Sequence, residues 1–149
     1  MAALVLSTTA LPAQISNVLQ VEAAKVAGKR SQVVSARLQV QLRPGYHVNS
    51  HTPADPYLIP LKFTWTETPA VQPVDIKFPE PKLEKYEFSN KPLSVFTGDF
   101  VVEAKFKVLP EAPVGQSMLV GKLRYQACND KMCLPPRTVD IKVPVVVSN

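Results

Sequence analysis

A chain of 149 residues is long enough for one domain with its own core, and no apolar run in it approaches the roughly 18 residues that a membrane-crossing helix needs. Its 17 Lys and Arg residues are interspersed with 12 acids, as in Lys77, Glu80, Lys82, Glu84, Lys85 and Glu87. The net charge of +5 therefore forms no basic block, and a nucleic-acid-binding function finds no support beyond its sign. The 15 prolines against 5 glycines point to short extended segments joined by rigid turns.

Met1 to Ala13 resembles the end of a signal peptide: a short apolar run, then small residues around a cleavage point after Ala13. It lacks the positive n-region, and a plain loose tail is the alternative. A signal remnant would place the chain in an oxidising compartment, where disulfides persist. From Gln14 to Arg30 the chain reads as a loose leader or a short helix ended by Gly28-Lys29-Arg30. The expected division is thus a leader over 1–30 and a domain over 31–149.

Period-two alternation begins at Ser31. Val34, Ala36, Leu38, Val40 and Leu42 share one face of a strand, with Ser35, Arg37, Gln39 and Gln41 on the other. Pro44-Gly45 turns the chain into an extended Tyr46-His47-Val48, and a proline-rich loop runs from Asn49 to Pro60. Leu61, Phe63 and Trp65 mark the next strand, and Val71–Phe78 a weaker one. Pro79–Pro92 reads as a long polar loop, in which Tyr86 and Phe88 have no periodic partners. Strands follow at Phe100–Val108, at Leu119–Ala127 and at Thr138–Val147. About seven strands with turn signals between them, and no amphipathic helix, predict an all-β antiparallel sandwich in a single domain.

The two cysteines of the chain lie in Tyr125-Gln-Ala-Cys128-Asn-Asp-Lys-Met-Cys133-Leu-Pro-Pro136. Three chemistries suit them. A structural staple over so short a loop is worth only about 2 kcal/mol, against about 4.7 for a 100-residue loop, and is too local to join two sheets. A metal site would combine Cys128 and Cys133 with His47 and His51, in an order reversed from common zinc fingers and only if the fold brought them together. A redox pair needs a thiolate and an accessible sulfur. Lys122, Arg124, Lys131 and Arg137 are near in sequence and favour a thiolate, while Asp130 opposes it.

The segment Tyr125–Pro136 resembles the active-site segment of the N-terminal periplasmic domain of the thiol:disulfide interchange protein DsbD family. Gly45-Tyr-His-Val-Asn-Ser50 and Asp55-Pro-Tyr-Leu-Ile-Pro60 resemble that family's other recurrent segment, and the likeness extends over roughly Gln32 to Val147. It implies an immunoglobulin-like sandwich and a protein-disulfide reductase module with no cofactor beyond its redox-active disulfide and no metal. Cys128 and Cys133 become the redox pair, with Cys133 forming mixed disulfides and Cys128 resolving them. Tyr86, Glu87 and Phe88 become a cap loop with Phe88 as the shield; the plain reading of Phe88 is a satellite core residue. His47 and Asn49 stand where well-known members carry tyrosines. With Tyr125 and Pro135 they are the candidates near the site, and His47 is a candidate to tune the thiol. The implied electron donor is a thioredoxin-like domain. The implied acceptors are periplasmic disulfide isomerases or thioredoxin-like proteins of cytochrome c maturation. The 149 residues include neither a membrane-embedded nor a thioredoxin-like domain, so the expectation is a fragment of a larger protein or a free-standing module that needs both for turnover.

Overall fold

The computed structural model describes residues 18–149; the signal-peptide reading of Met1–Ala13 lies outside them. The described residues form twelve strands and no α-helix. In chain order these begin with β1 (Leu19–Ala23), β2 (Val26–Lys29), β3 (Val33–Leu42) and β4 (His47–Asn49). Next come β5 (Lys62–Trp65), β6 (Val71–Lys77), β7 (Lys82–Glu84) and β8 (Leu93–Thr97). The last four are β9 (Phe100–Val108), β10 (Gly115–Tyr125), β11 (Ala127–Cys128) and β12 (Arg137–Ser148).

Two four-stranded sheets make the sandwich, in the orders β1-β3-β9-β6 and β2-β12-β10-β5. All pairings are antiparallel except β12 with β2. The alternation of the sequence is the alternation of burial. Ala36, Leu38, Val40, Val102, Ala104 and Phe106 from one sheet meet Leu119, Leu123, Tyr125, Ile141, Val143 and Val145 from the other in a single core. Trp65 stands edge-on to Phe106 at 5.0 Å and so ties β5 to β9 across the layers. This is the all-β sandwich that the strand pattern predicts, of the immunoglobulin-like kind that the family resemblance implies.

Two readings of the sequence need correction, and one strand escaped it. The stretch Gln14–Arg30 is, over its described part, neither a loose leader nor a helix. Leu19 is fully buried and pairs with Leu42, and Val26 pairs with Val145, so β1 and β2 belong to the sandwich upstream of residue 31. Strands this short carry too few alternating positions to announce themselves; the open edges of β3 and β12 select them. The loop Pro79–Pro92 contains β7, which pairs with β8. Leu93–Phe96 of β8 is buried at every position, and a strand covered on both faces shows no alternation to read.

A third, smaller sheet runs β11-β4-β8-β7. It receives β10, which passes through Gln126 into β11 and so leaves the large sheet at the point where the cysteines begin. Within β10, Gly121 is required for a steric reason, beside Trp65 of β5. A Cβ there would lie 2.5 Å from Trp65 Cε3 and 2.9 Å from the Thr64 carbonyl oxygen. Gly121→Ala is therefore expected to destabilise the chain by about 1–3 kcal/mol through overpacking, read as a lower urea midpoint with an unchanged slope.

Candidate functional site: a cysteine hairpin under an aromatic cap

Cys128 and Cys133 face each other across a tight hairpin. Leu134 N–H donates to the Ala127 carbonyl at 2.8 Å and Asn129 N–H to the Met132 carbonyl at 2.9 Å. These bonds flank the cysteines, which makes them a non-hydrogen-bonded antiparallel pair, the arrangement in which opposite residues come closest. Their Cα atoms are 3.9 Å apart and the sulfurs are bonded at 2.01 Å. The turn is held by Asn129, whose Oδ1 accepts from the N–H groups of Lys131 and Met132, both at 2.9 Å. Gln126 Nε2 adds a bond to the Leu134 carbonyl at 3.3 Å. None of these bonds uses sulfur. The two residues are unequal: Cys128 is 1% exposed, while Cys133 is only partly buried.

Strand register explains how Cys128 is covered. Ala127 pairs with Val48 and Cys128 with His47. Ala127 and Val48 point into the sandwich core, so Cys128 and His47 point to the opposite face of the small sheet. Leu93 and Val95 of β8 join Tyr86 there in a second cluster, with Leu58 against it. Tyr86 stacks on His47 with ring centroids 4.0 Å apart, and Phe88 stacks on Tyr86 at 5.5 Å. The turn carrying these rings is closed by Ser89 N–H on the Tyr86 carbonyl at 3.1 Å, and Lys85 Nζ donates to the carbonyls of Tyr86 and Ser89. The Tyr86 hydroxyl donates to Glu84 Oε2 at 2.7 Å.

The electrostatics follow from burial. Burial lowers the pKa of His47, with the charges of Glu84 and Asp130 opposing, so the ring favours its neutral form. Burial also raises the Tyr86 phenol, assisted by its bond to Glu84 and by the charges of Glu84 and Asp130. His47 Nε2 and Asn49 Oδ1 are buried with no hydrogen-bond partner among the described residues. Asn49 Nδ2 donates to the Ile59 carbonyl at 3.0 Å, which fixes the end of the 50–60 loop.

The remaining sequence candidates separate. Phe88, expected as the shield, is the outer ring at 39% exposure, whereas Tyr86 is the buried one that touches His47. Phe88 is accordingly not a satellite core residue; Tyr86 is. Glu87 is exposed beside Phe88, and Pro135 is exposed after the hairpin. Tyr125 faces the sandwich core, and its phenol is raised by burial against the opposing influence of Arg137 and the Leu19 backbone. His51 stacks on Phe78 at 4.0 Å, in a different ring stack from His47. Among the described residues no three His, Cys, Asp or Glu side chains converge as a metal-ligand group. Lys122 lies 3.9 Å from Asp140 in an exposed ion pair, worth little in water. Sequence reasoning missed Glu84, Leu93 and Val95, whose only signal was the unread pairing of β7 with β8.

Fold and site together define a class: an immunoglobulin-like β-sandwich with a paired-cysteine hairpin at its edge, beside a stack of His47, Tyr86 and Phe88. The family described as thiol:disulfide interchange protein DsbD, N-terminal, matches residues 16–144, and the chain belongs to it. That family takes its description from thiol–disulfide interchange. Among solved structures the chain is similar to the N-terminal periplasmic domain of ScsB from Proteus mirabilis, with TM-score 0.59 and 18% identity over 90% of this chain. It spans only 48% of that chain. The reduced DsbD N-terminal domain of Neisseria meningitidis aligns with TM-score 0.47 and 13% identity, over 73% of this chain and 75% of that one. A type I cohesin of Pseudobacteroides cellulosolvens aligns with TM-score 0.51 and 11% identity, over 87% and 92%, which shows the fold alone. No curated protein matches the chain. No helix of the described residues is long and apolar enough to cross a membrane.

Both histidines have pKa values lowered by burial, with the Glu80 charge opposing at His51, so below about pH 6.5 the unfolded chain binds protons that the folded chain does not. Their contribution to stability is complete above that pH and is lost as pH falls toward the folded-state values. The urea midpoint is expected to drop between about pH 7 and pH 5. His47→Phe, which keeps a stacking ring, should shrink that drop. An identical drop in the variant would show that His47 titrates alike in both states.

Proposed function

We propose that the chain is a periplasmic electron-relay module that exchanges its Cys128–Cys133 pair with disulfides of partner proteins. The observation that carries this reading is the hairpin, in which backbone hydrogen bonds hold one buried and one partly exposed cysteine face to face. A bond meant only to stabilise gains nothing from that inequality. A relay requires it, because one sulfur meets the partner and the other waits.

Starting from the dithiol, the Cys133 thiolate attacks one sulfur of the partner disulfide. A Cys133–partner bond forms, the partner S–S bond breaks, and its second sulfur leaves as a thiolate that takes a proton from water. Cys128 then loses its proton to solvent, and its thiolate attacks the Cys133 sulfur. The intramolecular disulfide closes, and the first partner sulfur leaves as a thiolate and is protonated. Two electrons have passed to the partner, and a donor dithiol restores the pair by the reverse sequence. The short hairpin keeps Cys128 at a high effective concentration for the second step. A thioredoxin-like domain suits the donor role. Thioredoxin-like acceptors, disulfide isomerases or cytochrome c maturation proteins, suit the recipient role, as the family resemblance implies.

The cap supplies control. Tyr86 rests on His47 and Phe88 rests on Tyr86, so a partner that lifts the loop uncovers the face on which Cys128 lies. A neutral His47 suits this position, because an imidazolium would be desolvated beneath the cap. Pro135, exposed after the hairpin, offers a rigid surface to the partner, with Glu87 at the outer rim of the cap.

Two outcomes test the proposal. Cys133→Ala should abolish mixed-disulfide capture of a thioredoxin-like partner and Cys128→Ala should prolong it, read by non-reducing electrophoresis; the reverse pattern would exchange the roles. The pair should equilibrate at about −120 to −270 mV, whereas a value below about −300 mV would mark a structural bond. Separately, Tyr86→Ala removes a ring stack worth about 0.5–1.5 kcal/mol, so reduction by a small thiol should accelerate roughly two- to tenfold. An unaltered rate would show that the loop does not guard the disulfide.

A further inference from the structure

A groove of 720 Å³ runs from the β3–β4 turn past His47 and Tyr86 to the cysteine hairpin, which it reaches at Asp130. Its charge differs from that of the chain. Glu84, Asp99 and Asp130 line it, against Arg43 as the lining cation, although the whole protein carries +5. Asp99 and Asp130 are exposed and Glu84 is half-buried. Two of the carboxylates, Glu84 and Asp130, act electrostatically on both His47 and Tyr86, and Asp99 lines the same groove. The groove wall also holds an incomplete polar group, because His47 is 2% exposed and its Nε2 has no partner among the described residues.

We propose that this groove is the docking channel for a basic, extended segment of the redox partner, which seats a Lys or Arg side chain among Glu84, Asp99 and Asp130 and so presents its disulfide to Cys133. The proposal rests on the exchange reading above and adds the chemistry that selects the partner. Three features favour this occupant. The groove has the size of a site for a few side chains rather than for a whole domain face. Its acidic lining is contiguous with the hairpin, since Asp130 lies between the two cysteines in sequence. A basic segment is repelled by the positive charge of the chain as a whole and attracted at the groove, so the charges set its register as well as its affinity. A neutral imidazole nitrogen without a partner can accept from the ammonium or guanidinium that enters.

The experiment compares three disulfide probes on the reduced, full chain: bis(2-hydroxyethyl) disulfide, a cystine peptide flanked by lysines, and the same peptide flanked by glutamates. The lysine peptide is expected to react faster than the glutamate peptide, with an advantage that shrinks as salt rises. Asp99→Asn alters the β8–β9 turn, outside the cysteine hairpin. It should slow the lysine peptide roughly two- to fivefold and leave the hydroxyethyl rate unchanged, which also shows the variant is folded. Equal rates for the two peptides in the unaltered chain, or an equal slowing of all three probes by Asp99→Asn, would overturn the groove proposal. Failure of the neutral probe to react with the unaltered chain would instead overturn the exchange reading on which it rests.

Discussion

The pairing of Ala127 with Val48 and of Cys128 with His47 is the constraint on which the site depends. In a pleated strand, neighbours point to opposite faces, so the residues that join this sheet to the core also dictate what lies on its other side. Val48 and Ala127 are committed to the sandwich core by their burial. Cys128 and His47 must then face away from it, toward the cap. A slip of one residue would place a cysteine in the main core and an alanine under Tyr86, which removes the chemistry without removing the fold.

The same pairing reconciles stability with reactivity. The main core needs nothing from the disulfide, because the two large sheets bury their alternating faces against each other. The hairpin is closed by backbone and Asn129 hydrogen bonds. Reduction therefore removes a covalent bond from a segment that other forces already shape. Burial is then uneven: Cys128 is buried on the face of the small sheet where Tyr86, Leu93 and Val95 form a cluster separate from the main core, and Cys133 is partly exposed.

Much of the architecture was legible because it rests on period-two alternation in long strands. Val34 through Leu42, Phe100 through Val108 and Leu119 through Ala127 each fall on the predicted buried face. Legibility failed where pattern was short or absent. β1 and β2 are recruited by open edges, β8 is buried on both faces, and β7 hides in a polar loop. Those last two strands form half of the sheet on which the site is built, so their loss from the reading also concealed Glu84, Leu93 and Val95. The order of the cap was altered for a related reason. Tyr86 and Phe88 are equivalent as letters, and only the turn over Tyr86–Ser89 decides that the tyrosine goes in.

By itself, the sequence determined the sandwich class, the closeness of the two cysteines and the presence of an aromatic loop, because each is a matter of periodicity, spacing or residue type along one segment. Tertiary structure alone decided which cysteine is sealed, which ring covers His47, and that acids from β7, the β8–β9 turn and the hairpin line one groove. The physical reason is that burial, stacking and field are sums over groups brought together by strand pairing. Glu84, Asp99 and Asp130 are distant along the chain, and no local pattern records that β4, β7 and β8 share a sheet.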